Sequence, residues 1–98
     1  MAKHNNSLRG IKKDIEYVIG AFVDDCGLFL SVHKGENVDE VAGLIDEAVD
    51  LFNDLRNRSV NPEGDKRAWY QAIRKDLVEK VDALYDKLSA AVKKGLEA

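Results

Sequence analysis

The stretch from Ile11 to Val32, IKKDIEYVIGAFVDDCGLFLSV, sets the terms for the rest of the chain. Together with Leu8, apolar side chains recur at Ile11, Ile15, Val18, Ile19, Phe22, Cys26, Phe29 and Leu30, the three-and-four spacing of one helix face. Such a face must be buried against other elements, yet the stretch is more apolar than one face requires. At about 100° per residue the core stripe centres near Ile15, Phe22 and Cys26. Gly10, Tyr17, Ala21 and Leu28 fall on a second sector more than a quarter-turn away, with Gly20 and Gly27 beside it, one heptad apart. A bilayer is not the answer to this excess. Asp24 and Asp25 split the uncharged runs, and neither run approaches the roughly 20 apolar residues that a spanning helix needs.

Two further helical patterns supply partners for the core stripe. Asn37, with Glu40 three residues later, has the form of a capping box ahead of Val38, Val41, Ile45, Ala48, Val49, Phe52 and Leu55, flanked by Leu44 and Leu51. Arg56 and Arg58 suit the negative end of that helix, and the breaker-rich SVNPEG follows. Asn61 and Pro62 fit a cap and a first helical residue, although Gly64 can delay the start to Asp65. The third pattern runs through Tyr70, Ile73, Leu77, Val81, Leu84, Leu88, Ala91 and Val92, with Trp69, Val78 and Tyr85 on its shoulders. The first helix is expected to be capped by Asn6 or Ser7 and to stop at His33, Lys34 and Gly35. The expectation is an all-α, antiparallel up-down-up three-helix bundle with helices over about 7–33, 37–58 and 62–95. It forms one domain over residues 1–98, residues 1–6 being a disordered tail, and the middle helix is the shortest.

Composition narrows the functional classes. A chain that is 45% hydrophobic and 34% charged has enough apolar residues to fold and enough charge to stay soluble. Cys26 has no second cysteine to bridge to, and the opening MAKHNNSLRG lacks an apolar signal core, so a reducing, cytoplasmic location is expected. A net charge of −3 weighs against a membrane partner and against nucleic acid as the main partner.

The candidate interface is the second sector of the first helix: Tyr17, Gly20, Ala21, Gly27 and Leu28. Each helical glycine costs about 1 kcal/mol relative to alanine, and close approach of another backbone is a reason to accept that cost. A symmetric homodimer with first helices side by side, or another helical protein on the same face, is the expected partner. The competing explanation is that scattered surface apolar residues are ordinary.

A second candidate is a basic pole formed by Arg9, Lys12, Lys13, Arg56, Arg58, Lys66 and Arg67, joined by Lys3, where an anionic partner or nucleic acid can be met. Asp14, Glu16, Asp54, Glu63 and Asp65 dilute it. A third is a Mg²⁺-dependent nucleotide pyrophosphohydrolase. The strings Glu47 to Asp50 and Glu79 to Asp82 are loosely similar to the acidic motifs of MazG-like enzymes, but the ExxE half of that pattern is absent and Glu47 and Asp50 are expected to point outward rather than into a shared cleft.

The remaining features favour structural roles. Asp24 and Asp25 diverge by about 100° on a helix and do not converge on one ion; Asp25 borders the core and is expected to pair with a Lys or Arg of a neighbouring helix. Cys26 and His33 are about 10 Å apart along the axis, too far to share a zinc ion, and Cys26 reads as a small core residue. Trp69 is expected to lock the second turn onto the end of the bundle. No catalytic, cofactor or metal residue is assigned, and the reading is a small non-enzymatic interaction protein that self-associates.

Overall fold

The computed structural model describes residues 8–32 and 37–97, with side chains through 94. The tail, the Asn6 or Ser7 cap, Lys3 and the stop at His33, Lys34 and Gly35 lie outside those residues. Three helices, α1 (Leu8–Val32), α2 (Val38–Ser59) and α3 (Lys66–Glu97), all pack against one another. The bundle is therefore all-α, as the periodicity predicts.

Cross-helix polar contacts give the directions. Asp14 meets Arg74 and Asp25 meets Tyr85, a constant offset of sixty residues, so α1 and α3 run parallel. Glu40 meets Lys94, Glu47 meets Lys87 and Arg58 meets Asp76; residue numbers that rise on one helix fall on the other, so α2 is antiparallel to α3. Up-down-up topology follows. The molecule extends 50 × 27 × 17 Å with a radius of gyration of 15.4 Å, against about 13 Å for a compact 100-residue domain. It is a rod.

Ile11, Ile15, Ile19, Phe22, Cys26 and Phe29 line the buried side of α1. Opposite them stand Val41, Leu44, Ala48, Leu51 and Leu55 of α2 and Tyr70, Ile73, Leu77, Val81, Leu84, Leu88 and Ala91 of α3. Phe22 is fully buried and meets the Tyr85 ring edge-on at 4.9 Å, a favoured aromatic geometry. The α2 stripe departs from expectation. Leu44 and Leu51, read as flanks, are central, whereas Val49 is 47% exposed. Two neighbours demand two directions of burial from α2, which rotates its face toward the midpoint between them; Ile45 and Phe52 become one partly buried shoulder. On α3, Val78 is likewise outside, at 54% exposed.

Two helix starts differ from the sequence reading. Asn37 does precede α2, but it adopts φ 61°, ψ 10° and its side chain makes no cap. Instead its Nδ2 donates to the Ala91 carbonyl of α3 at 3.1 Å, and Glu40 pairs with Lys94 rather than reaching back. The capping box is replaced by two ties between helices. For α3, Pro62 is not helical; Gly64 turns through φ +71°, and Asp65 becomes the cap, its Oδ2 accepting from the Ala68 amide at 3.3 Å.

The end of α2 is closed from across the turn. The Trp69 indole N–H donates to the Arg58 carbonyl at 2.7 Å, a second and shorter bond to an oxygen at the helix terminus that also accepts from the Asn61 amide at 3.4 Å. Ser59, one residue beyond the expected boundary, is fully buried with its hydroxyl donating to the Arg56 carbonyl at 2.7 Å. Trp69 thus locks the turn, as expected.

Candidate functional site

The outward side of α1 is built by the same spacing that builds the core, displaced around the helix. Because Ile11, Ile15, Phe22 and Cys26 are held inward, Tyr17, Ala21 and Leu28 must look out. Tyr17 is 81% exposed and Leu28 65% exposed; Ala21 and Gly27 are exposed and Gly20 half-buried. A methyl group added at Gly20 or Gly27 would meet nothing within 4 Å. Packing inside this chain therefore gives no reason for either glycine. All five candidate interface residues lie on one side of one helix, with the exposed Asp24 among them.

The basic pole is brought together only in part. The start of α1, the end of α2 and the start of α3 lie at one end of the rod, and Arg9, Lys13, Lys66 and Arg67 are exposed there while Lys12 is half-buried. Arg58 is committed elsewhere. Its guanidinium reaches Asp76 at 2.8 Å and Asp54 at 3.4 Å; the Asp76 hydrogen bond raises its pKa further, against a smaller lowering by burial. Arg56 lies 5.5 Å from the Phe52 ring centroid, a cation–π distance. Two of the seven cations are thus engaged within the chain.

No match to this chain is found among family models, curated proteins or solved structures.

The acidic strings do not share a cleft, in line with expectation. Glu47 and Asp50 are exposed, and with Leu51, Asp54, Lys80, Ala83, Leu84 and Lys87 they line an open groove of about 370 Å³ between α2 and α3. The rotation of α2 that centres Leu44 and Leu51 carries Glu47 to the rim, where Lys87 Nζ holds it at 2.9 Å. Glu79 and Asp82 are exposed and do not line this groove, so the two strings do not face each other. Among the described residues no group of three or more His, Cys, Asp or Glu side chains is placed to hold a metal ion. Among the described residues no helix is long and apolar enough to cross a membrane.

Asp25 takes a partner that sequence reading missed. The Tyr85 hydroxyl donates to its Oδ2 at 2.7 Å, where a Lys or Arg was expected. Burial, then the hydrogen bond and charge of Asp25, push the Tyr85 phenol up to about 12, so it remains a neutral donor through the physiological range. The period of α3, which sets Tyr85 one step off the core line, was the available signal. Cys26 beneath this pair is fully buried, and burial, with the nearby Asp25 charge second, raises its thiol pKa. It is a poor nucleophile in this setting.

Proposed function

We propose that this chain is a small, cytoplasmic, non-enzymatic interaction protein that self-associates through the outward face of α1. The exposure of Tyr17 at 81% on a helix whose opposite side is fully packed carries this reading. Leu28, three turns further on, extends the apolar surface, and Gly20 and Gly27 leave it low enough for a second helix to come close. The retained free thiol of Cys26 supports a reducing compartment.

Two other readings rest on less. The exposed cations at the pole favour an anionic partner, but Arg58 is neutralised by two carboxylates and Arg56 lies near Phe52. A Mg²⁺-dependent hydrolase would recruit Glu47, which Lys87 already occupies.

Sedimentation equilibrium is the test. Wild type is expected to exceed the monomer mass at high micromolar concentration, and Tyr17→Glu/Leu28→Glu to return to monomer with unchanged helicity, since neither side chain is part of the core. A wild type that stays monomeric, or a dimer indifferent to the double substitution, would overturn the reading.

A further inference from the structure

Along the outward line of α1, Gly10, Lys13, Tyr17, Gly20, Asp24 and Gly27 follow one another at steps of three, four, three, four and three residues. This is the spacing by which one helix keeps a seam against another. It stands opposite the buried stripe. Lys13 and Asp24 are both exposed and have no ion-pair partner among the described residues.

The order of residues along that seam is complementary to its own reverse. Two copies laid antiparallel, with the two-fold axis passing midway between Val18 and Ile19, set Lys13 against Asp24 of the second copy, Tyr17 against its Gly20 and Gly10 against its Gly27. Symmetry repeats each contact, giving two ion pairs and two aromatic rings each seated over a glycine. Sliding the helices by one heptad in either direction breaks both ion pairs: Asp24 then meets Gly20, or Lys13 meets Tyr17. A parallel arrangement sets Lys13 against Lys13 and Asp24 against Asp24, with like charges repelling. Only the antiparallel alignment satisfies both charges and gives both tyrosines a glycine to cover.

We infer that the second copy docks antiparallel on α1, aligned by reciprocal Lys13 and Asp24 pairs, with Tyr17 packed over the glycine that the opposing helix presents. The inference rests on the self-association proposed above and specifies its orientation. It also supplies the role that packing within one chain leaves open for Gly20 and Gly27. Rings are accommodated where the opposing backbone is bare.

Charge exchange tests the alignment separately from the surface. Lys13→Glu and Asp24→Lys, each alone, place two like-charged contacts in every homodimer and are expected to weaken it about tenfold. Mixing the two single variants restores complementary contacts at both ends, and the Lys13→Glu/Asp24→Lys double variant does the same within one chain; both are expected to associate as wild type does. Singles that dimerise like wild type would overturn the antiparallel alignment, while loss of the dimer in Tyr17→Glu/Leu28→Glu would keep the surface itself. A monomeric wild type would remove both. All these positions are exposed, and circular dichroism confirms that each variant is folded before its mass is read.

Discussion

Trp69 shows how one side chain at the right place fastens a turn that the backbone closes with a single long bond, from the Asn61 amide to the Arg58 carbonyl at 3.4 Å. Its indole proton caps the Arg58 carbonyl while its ring packs against the core, so the α2–α3 connection is fastened at a point eleven residues back in the chain. Replacement by Phe keeps a ring but leaves the carbonyl only the longer bond from the Asn61 amide. Trp69→Phe is expected to cost about 1 kcal/mol and lower the melting temperature by about 5 °C, followed by circular dichroism because this is the only tryptophan. An unchanged melting temperature would mean that the Asn61 amide and water satisfy the Arg58 carbonyl equally well. Asn37 does the comparable work at the opposite end, where the left-handed backbone turns its amide away from its own helix and onto Ala91.

At the level of helices, the periodicity made each element legible and left its neighbours out of sight. The inward sides of α1 and α3 are the stripes that the spacing predicts. On α2 Leu44 and Val49 lie at opposite edges of one apolar band, and only the two partners decide that Leu44 goes in and Val49 goes out. The start of α3 was ambiguous for a local reason: Pro62 and Asp65 both suit a helix N-terminus, and the positive φ of Gly64 decides for Asp65. For the candidate site, the exposure of Tyr17 and Leu28 was legible; the groove beside Glu47 and the Tyr85 to Asp25 bond were not, since both depend on how far neighbouring helices are rotated. The glycines of α1 carry a test with two opposite signs. Gly20→Ala and Gly27→Ala meet no obstacle inside the chain, so each is expected to stabilise the monomer by about 1 kcal/mol in dilute thermal unfolding. The same methyl groups intrude on the seam and should weaken self-association. A substitution that stabilises the fold and leaves the dimer equally tight would separate these glycines from the interface.

For the molecule as a whole, the surface ion pairs align the helices more than they stabilise them. Lys87 to Glu47 and Lys94 to Glu40 are between exposed side chains and contribute a few tenths of a kcal/mol at most; the core sets the stability. Charge at the ends of the rod acts differently. Neither α1 nor α3 has an acidic residue in its first turn, and both begin with cations at the same pole. Arg9→Glu/Lys66→Glu is expected to raise stability by about 1 kcal/mol in low salt and by less at high ionic strength. A loss of stability would show that these cations have acidic neighbours to hold. The parallel course of α1 and α3, first seen as a constant offset of sixty residues, has an electrical consequence. Two helix dipoles point one way and one the other, so the rod carries an uncompensated dipole equivalent to about half a charge at each end. Side-by-side antiparallel copies oppose those two dipoles and cancel them, leaving an assembly less polar than either of its halves.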